Sequence, residues 1–477
     1  MKSSPYLLSV CILSSMLAPH MSIQAQTTEP SRTEEIHELR QELMAINTRL
    51  TKLENEESAD LAVAAPDENA AALSAASTSL GAKHADEPGP HEAATKTLTT
   101  ADRSTLDFFN GTTIKIALDG YYAYNFNNPI GRVNLLRAYD VSSNAFSLNQ
   151  ADFIIEHAPD PANGKRFGAR IDLQFGQATE ALQGNAANEP RPEIYRNIFQ
   201  AYGTYVVPVG SGLNVDFGKW ASSLGIEGNY TKDQMNYSRS FWFDYLPFYH
   251  AGLRASYAFT PWLSGHYWMV NGTEQTEPFN NFKDEMIGFE AKPHKSIDWT
   301  FNYYLGQEHP DFEYVTNGPP NLPEQQGLPF EPIPNPAKGK LHIFDSYATW
   351  TATPKLTFAL EGDYVISRDQ TYSAPQHTDG GAIYARYQFN PLLALSGRSE
   401  YLSDRGALYS GTVQALKEFT VTFDQTVANG FLMREELRHD FSNQPYFLTD
   451  TLGNLSNSQT TATVGLVWWF GGKQGAW

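Results

Sequence analysis

The chain contains almost no cysteine, since Cys11 is the single residue of this type among 477. It lies in an apolar opening segment that we interpret as part of a signal peptide covering residues 1–25. A lipoprotein site at Cys11 is disfavoured, because Val10 precedes it and the apolar run continues past it. Cleavage after Ala25 would leave an exported chain that holds neither disulfides nor thiolate metal sites.

Long hydrophobic runs and excess positive charge are also missing. No later run of about 20 apolar residues occurs, which excludes an ordinary membrane-spanning helix. The formal net charge is −19, and a groove that follows phosphates needs a basic field, so no nucleic acid is expected as a partner.

Enzymatic motifs are missing as well. The chain has no Gly-x-Ser-x-Gly elbow, no phosphate-binding Gly-rich loop followed by Lys-Ser/Thr, and no His-Glu-x-x-His. We therefore expect no catalytic residue, no cofactor and no metal site. A hydrolase whose residues converge from separate strands stays open as an alternative, because such a site leaves no local motif.

Aromatic residues are plentiful, at 13% of the chain, although the mean hydropathy is only −0.42. This combination is typical of a transmembrane β-barrel, in which alternate residues meet lipid and aromatic girdles mark both interfaces. A soluble all-β protein rich in tyrosine would have a similar composition.

Residues 26–55 contain an apolar heptad seam, which predicts an α-helical coiled coil in the periplasm. The segment Arg49–Glu54 resembles a short trimerisation signature, which favours a homotrimer over a dimer. A single amphipathic helix lying on the barrel is the alternative. Residues 56–110 are rich in Ala, Ser, Thr, Glu and Pro and predict a flexible linker. The seam comprises Ile36, Leu39, Leu43, Ile46, Leu50 and Leu53.

From residue 111 to residue 470 the hydrophobic period is two, which predicts β-strands with one apolar and one charged face. About sixteen such segments occur, an even number, and we expect an all-β, transmembrane antiparallel β-barrel. The connections alternate between short turns and long loops, which is the asymmetry of outer-membrane barrels. Both ends of the barrel would then lie on the short-turn, periplasmic side. The predicted segments are 113–126, 145–157, 164–176, 193–207, 212–220, 248–259, 262–271, 283–292, 296–306, 341–352, 355–366, 380–389, 392–402, 412–423, 430–440 and 459–470.

The last segment has Gly465, Trp468 and Phe470 in an order that resembles the C-terminal signal read by the bacterial barrel-assembly machinery. A tail, residues 471–477, follows Phe470, whereas such proteins commonly end at the aromatic residue itself. The terminal Trp477 could serve this role in a shifted register.

Several loose motifs occur in an order that resembles the OmpL-like family of outer-membrane β-barrel porins. The resemblance covers roughly residues 110–470 and implies a bacterial outer-membrane channel, but it implies no particular solute. The motifs are Ala145–Asn149, Arg166–Gly168, Phe175–Gly176, Phe217–Lys219, Asn236–Ser240, His250–Arg254, Val270–Gly272 and Arg434–Asp440.

Charged residues on the polar face of the strands are predicted to line the interior. They could create a transverse field across the channel. Alternatively, they could form neighbouring ion pairs that stiffen the wall. Glu435 falls on the lipid-facing parity, which suggests a bulge or an early strand end. The predicted lining comprises Arg166, Arg170, Asp172, Asp216, Arg254, Glu290, Asp298, Glu361, Asp363, Arg386, Arg398, Glu400, Arg434, Glu436 and Arg438.

The loop at residues 221–247 is the third on the long side, and in the sixteen-stranded porins that this chain resembles the third loop folds inward. We therefore predict that it constricts the channel, with an ordinary surface loop as the alternative. Its charges of both signs do not force anion or cation preference. They are Glu227, Lys232, Asp233, Arg239 and Asp244.

The sequence thus predicts passive diffusion of small hydrophilic solutes and ions through an outer-membrane porin. One alternative is a substrate-specific channel for sugars or organic ions. Another is a structural protein that tethers the envelope through its coiled coil. The expected partners are outer-membrane lipid, further copies of the chain, the barrel-assembly machinery and the solutes, with the cell wall as a further candidate.

Overall fold

A computed structural model describes residues 111–182, 189, 192–314 and 330–471. Sixteen of the strands form a closed antiparallel barrel in which each strand pairs with the next one along the wall and the first strand pairs with the last. The predicted strand number is therefore confirmed. The barrel strands are β1 (Thr112–Asn125), β2 (Ala145–His157), β3 (Phe167–Phe175), β4 (Ile198–Val207), β5 (Leu213–Ala221), β6 (Tyr249–Thr260), β7 (Leu263–Val270), β8 (Asp284–His294), β9 (Ile297–Gly306), β12 (Leu341–Thr353), β13 (Leu356–Ser367), β14 (Gln376–Asn390), β15 (Leu393–Asp404), β16 (Gln414–Ala428), β17 (Phe431–Ser442) and β20 (Ser458–Phe470).

Short additional elements lie in the long loops. Two hairpins pair β10 (Phe312–Tyr314) with β11 (Phe330–Pro332) and β18 (Phe447–Leu448) with β19 (Leu455–Ser456). The α-helices are α1 (Ala178–Leu182), α2 (Pro192–Tyr195) and α3 (Phe241–Tyr245). Single 3₁₀ turns occur at Ile130–Arg132, Pro161–Asn163 and Thr231–Asp233. None of the helices among the described residues has the length and hydropathy needed to cross a membrane.

The predicted signal peptide, coiled coil and linker, with the tail after Gly471, lie outside the described residues. Within them, the largest boundary differences are at β4, which was expected from residue 193 but begins at Ile198, and at β16, which was expected to end at residue 423 but ends at Ala428. Residues Pro192–Tyr195 form a helical turn instead. Proline is favoured at the first position of a helix, where its missing N–H costs nothing.

The alternation of side chains gives the wall its two faces. Along β17, the even-numbered residues from Leu432 to Ser442 are buried towards the interior, whereas Leu437 on the outer face is 55% exposed. Large apolar side chains cover the outside elsewhere, and Phe146 is 91% exposed there. An apolar outer surface around a charged interior is the arrangement that lipid requires of a barrel.

The short turns close through side-chain caps. β12 ends at Thr353 and β13 begins at Leu356, and the Thr353 hydroxyl accepts hydrogen bonds from the N–H groups of Lys355 and Leu356. Pro354 between them fixes φ at the value that such a turn needs. The Asn390 side chain caps the turn between β14 and β15 in the same way, before Pro391.

The expectation of a bulge or an early strand end at Glu435 is wrong. β17 continues to Ser442, and the register shift in its pairing with β16 lies between Thr426 and Ala428. Glu435 does point outward, where the Gln425 amide donates to both of its carboxylate oxygens at 2.8 and 2.9 Å. The carboxylate is thus satisfied by a neighbouring strand, so the backbone needs no irregularity.

Candidate functional site

The connection between β5 and β6, residues 222–248, lies inside the barrel, and we call it the inner loop. It hydrogen-bonds to inward-facing side chains on strands from β1 to β17. Interior groups on β9, β12, β13, β15 and β16 also bond to it. Because these strands surround the interior, the inner loop crosses from one side of the wall to the other.

Three wall glutamates hold the backbone of the inner loop. Glu436 accepts hydrogen bonds from the N–H groups of Tyr237 at 2.6 Å and Ser238 at 3.0 Å. Glu400 likewise accepts from the first N–H groups of α3, at 2.8 and 2.9 Å. Glu361 accepts from the N–H of Ile226 at 3.0 Å. Hydrogen bonds to a charged acceptor are stronger than neutral ones, so these carboxylates are firm anchors.

Three wall arginines hold the carbonyl groups of the same loop. Arg434 donates to the carbonyl oxygens of Thr231 at 2.6 Å and Asn236 at 3.1 Å. Arg398 donates to the Ser238 carbonyl at 2.8 Å, and Arg438 donates to that of Arg239. The wall thus offers acceptors to the amides of the loop and donors to its carbonyls.

Strands β1 and β3 bind the tip of the loop. The Asp119 carboxylate on β1 accepts from the hydroxyls of Thr231 at 2.7 Å and Tyr237 at 2.9 Å. On β3, Asp172 accepts from the hydroxyl of Tyr230, and Arg170 donates to that same hydroxyl at 2.9 Å. Both of these β3 residues were among the predicted lining.

The loop keeps its own shape through Arg239 and Glu227. The Arg239 guanidinium donates to three carbonyl oxygens of the loop at 2.8 to 3.0 Å. Glu227 accepts from the N–H of Ser240 at 2.6 Å and forms an ion pair with Arg398 at 2.7 Å. The Ser240 hydroxyl caps α3 by accepting from Phe243 N–H. A compact loop is thereby held at a fixed place on the wall.

An aromatic cluster fills part of the interior beside α3. Phe241 and Trp242 are fully buried and belong to the same cluster as Trp220, Trp268 and Tyr304 of the wall. Such side chains bury about 150–250 Å² each, so they give the docked loop a large hydrophobic stabilisation.

The remaining predicted loop charges have local partners. Lys232 forms an ion pair with Asp233 at 2.5 Å, and burial lowers the pKa of Lys232. Asp244 in α3 accepts a hydrogen bond from the Tyr409 hydroxyl at 2.7 Å. Burial raises the pKa of Asp244 to about 6, and the Tyr409 hydrogen bond opposes this rise.

The ion pairs of the wall join near neighbours. Asp216 pairs with Arg254 at 2.6 Å on adjacent strands, and Arg386 pairs with Asp424 at 2.5 Å. Glu290 and Asp298 share Lys292 at 2.5 and 3.2 Å. Arg166 donates instead to the Val206 carbonyl oxygen. Of the two arrangements considered from the sequence, neighbouring pairs are the one that these contacts show.

Several interior residues that contact these groups were missed by the sequence argument. Asp424 pairs with both Arg386 and Arg434, and Glu418 pairs with Arg398 and Arg438. Asp440 pairs with Arg438 and with Arg137 of the first long loop. All three acidic residues occupy alternate positions of their strands that face the interior. The alternation of side chains alone could therefore have found them. No local pattern marks Arg137.

Gly465, predicted as part of the assembly signal, faces the inner loop. A Cβ atom added there would lie 2.2 Å from the ring of Tyr237, so only glycine leaves room for this ring. Trp468 and Phe470 point outward, and the Trp468 ring stacks on Phe431 with 4.9 Å between the ring centroids.

One family model matches residues 111–470, and its description is "Putative beta-barrel porin-2, OmpL-like". The match covers more than half of the chain. It confirms the family resemblance inferred from the motifs, and together with the fold it points to a channel rather than an enzyme.

The chain is also similar to solved structures of outer-membrane proteins. The anion-selective porin from Comamonas acidovorans has a TM-score of 0.50 at 8% identity, covering 75% of this chain and 99% of that one. The outer membrane channel DcaP of Acinetobacter baumannii has a TM-score of 0.47 at 10% identity, covering 75% and 97%. Pseudomonas putida OprB has a TM-score of 0.45 at 12% identity, covering 78% and 96%. No curated protein matches the chain.

Proposed function

The chain belongs to the OmpL-like family of β-barrel porins, and from this premise we propose that it forms a channel in the bacterial outer membrane. The channel is water-filled and carries small hydrophilic solutes and ions by passive diffusion. The inner loop constricts it. A charged interior behind an apolar outer surface supports this proposal, because the interior face of such a wall contacts water and the outer face contacts lipid.

The observation that carries the proposal is the anchoring of the inner loop across the interior. Its Ile226 N–H is bonded by Glu361 on β13, and its Tyr230 hydroxyl is bonded by Asp172 on β3, which lies opposite β13 in the ring of strands. A segment fixed in this way narrows any path through the barrel. Its charged side chains have partners, as Glu227 has in Arg398 and Asp244 has in the Tyr409 hydroxyl, so the width of the path rather than a single charge controls passage.

The test is the conductance of the purified protein in a planar lipid bilayer. Large ohmic steps are expected from the wild type. Deletion of residues 228–236 should increase the step size, because it removes the part of the loop that contacts Asp119 and Arg434. Unchanged conductance after this deletion would contradict the role of the loop.

The same measurement separates the alternatives. Solute-dependent block of the current by sugars or organic ions would favour a substrate-specific channel. A folded barrel without any conductance would favour the structural, envelope-tethering function. Heat-modifiable migration in gel electrophoresis, which reports a closed barrel, is the control for folding.

Assembly is also part of the proposal. We expect a homotrimer in outer-membrane lipid, with residues 26–55 as a periplasmic coiled coil that could reach the cell wall. Helices tethered to associated barrels meet at high effective concentration, which favours even a short coiled coil. Chemical crosslinking with and without residues 26–60 tests this. Unchanged oligomers in the truncated chain would remove the coiled coil from that role.

A further inference from the structure

Three carboxylates meet on the inner wall of β12 and β13. Asp345 and Asp363 are opposite each other in the register of the two strands, and Glu361 lies on the same face of β13. One oxygen from each carboxylate lies within 4.8 Å of the other two. All three residues are buried, with exposed fractions of 0%, 2% and 5% for Asp345, Glu361 and Asp363.

This acidic cluster has no basic partner among the ion pairs of the described residues. The nearby Arg398 is already paired with Glu227 and Glu418. Both oxygens of Asp363 are buried without any hydrogen-bond partner. Burial of an unpaired carboxylate is strongly unfavourable, so these two oxygens need a ligand or a proton.

The other two carboxylates are oriented but keep free lone pairs. Asp345 accepts from Gly225 N–H at 3.2 Å and from the Asn302 amide at 2.7 Å. Glu361 accepts from Ile226 N–H and from the Tyr384 hydroxyl at 3.2 Å. A carboxylate offers about four lone-pair sites, so each of the two can still bind a cation.

We propose that Asp345, Glu361 and Asp363 bind a divalent cation with the chemistry of Ca²⁺. This ion prefers carboxylate oxygens at about 2.3–2.6 Å, so two of its ligands can be roughly 5 Å apart. The separations in the cluster fall within that span. Mg²⁺ demands near-ideal octahedral geometry and usually keeps several waters, so a buried cluster of three protein carboxylates suits Ca²⁺ better.

The site lies where the inner loop begins. Gly225 has a φ of +81°, and a Cβ atom there would lie 3.1 Å from a Glu361 oxygen, so the backbone passes directly over the cluster. The bound cation holds Asp345 and Glu361 in the positions from which they bind Gly225 and Ile226. The inference goes beyond diffusion through the channel, since it makes attachment of the loop depend on a cation.

No metal site was predicted from the sequence. The ligands come from two strands and have no motif spacing, and they meet only through strand register. Asp345 was not among the predicted lining residues.

The test is isothermal titration of CaCl₂ into the refolded full-length protein, stripped with EDTA and held in detergent micelles. One saturable binding event per chain is expected, together with a higher unfolding temperature in the presence of CaCl₂. MgCl₂ in the same titration should bind at least about tenfold more weakly.

The variants Asp363→Asn and Glu361→Gln should each weaken Ca²⁺ binding by at least about tenfold. Asp379→Asn is the matched control, because it removes a carboxylate from the neighbouring strand β14 where Arg405 is the partner. Absence of saturable binding to the wild-type protein would overturn the proposal. The buried carboxyl groups would then be protonated instead of binding a cation. Equal affinity in Asp363→Asn would also overturn it.

Discussion

At the scale of the residue, Gly465 shows how closely the wall and the inner loop fit. It was expected to act in recognition by the assembly machinery, which stays a prediction, but its position beneath Tyr237 explains the residue on packing grounds alone. The Tyr237 hydroxyl donates to Asp119 on the next strand of the wall, so a small shift of the ring would break a buried hydrogen bond.

Gly465→Ala should therefore loosen the loop. The new methyl group would lie 2.2 Å from the Tyr237 ring, which forces the ring away from Asp119. Overpacking of this kind typically costs about 1–3 kcal/mol. We expect a lower unfolding temperature and a higher, noisier bilayer conductance.

Gly397→Ala is the control for this change. Gly397 is also a wall glycine, but the nearest atom to an added Cβ is the Thr420 carbonyl oxygen at 3.8 Å. If both variants behave like the wild type, the contact between Gly465 and Tyr237 does not position the loop.

Asp244 predicts a dependence on pH. Its pKa rises from 3.8 to about 6 on folding because burial disfavours the charged form. The folded state therefore binds this proton more tightly than the unfolded state does. The resulting stabilisation is fully present below pH 3.8 and is lost as the pH rises through about 6. A shift of about 2 units corresponds to roughly 3 kcal/mol.

Asp244→Asn should remove this contribution while keeping an acceptor for Tyr409. The free energy of unfolding, measured in denaturant between pH 4 and 7, should fall by roughly 2–2.5 kcal/mol more in the wild type than in the variant. Parallel pH profiles for the two proteins would show that Asp244 is not the titrating group.

At the scale of the element, the inner loop is held by charges on the wall rather than by its own secondary structure. Within the loop, α3 spans only Phe241–Tyr245, and Thr231–Asp233 form a single 3₁₀ turn. So short a set of elements has little intrinsic stability. The bonds to Glu436, Glu400 and the wall arginines take the place of regular structure.

Glu436→Gln tests this anchoring. The amide of glutamine places a donor where two backbone N–H groups now point at a carboxylate. A hydrogen bond to a charged group contributes about 1.5–3 kcal/mol, so docking of the loop should weaken by that order. We expect larger current fluctuations in the bilayer and faster proteolysis within the loop.

The control is Glu285→Gln, because Glu285 accepts a hydrogen bond from Tyr267 on the outer face of the barrel. Current noise and proteolysis that stay at the wild-type level in Glu436→Gln would mean that Glu436 does not anchor the loop.

At the scale of the whole molecule, the barrel could be predicted because its pattern is local. Alternation along each strand and the Thr-Pro or Asn-Pro turns define where strands begin and end. They also assign inward residues such as Arg398 and Arg434, which are indeed buried in the interior. Errors occurred where local signals are ambiguous, as at Pro192–Tyr195, where a helical turn precedes β4.

The contacts of the site could not be predicted in the same way. Tyr237 and Glu436 are 199 residues apart in the sequence and meet only because the barrel closes. The alternation of side chains along the strand predicts that Glu436 faces inward. It does not predict which backbone amide Glu436 binds. The acidic cluster depends in addition on the register between β12 and β13. A shift of one residue in this register would abolish the cluster.

The distribution of the inner loop's contacts over the barrel also determines when the loop docks during folding. Its partners include Asp119 on the first strand and Glu436 on the strand next to the last, and the first and last strands meet only when the barrel closes. The loop therefore completes its contacts as a late event, after the ring of strands has sealed. Before that moment the loop has only part of the contacts that fix it in the interior, so its final position belongs to the closed barrel alone.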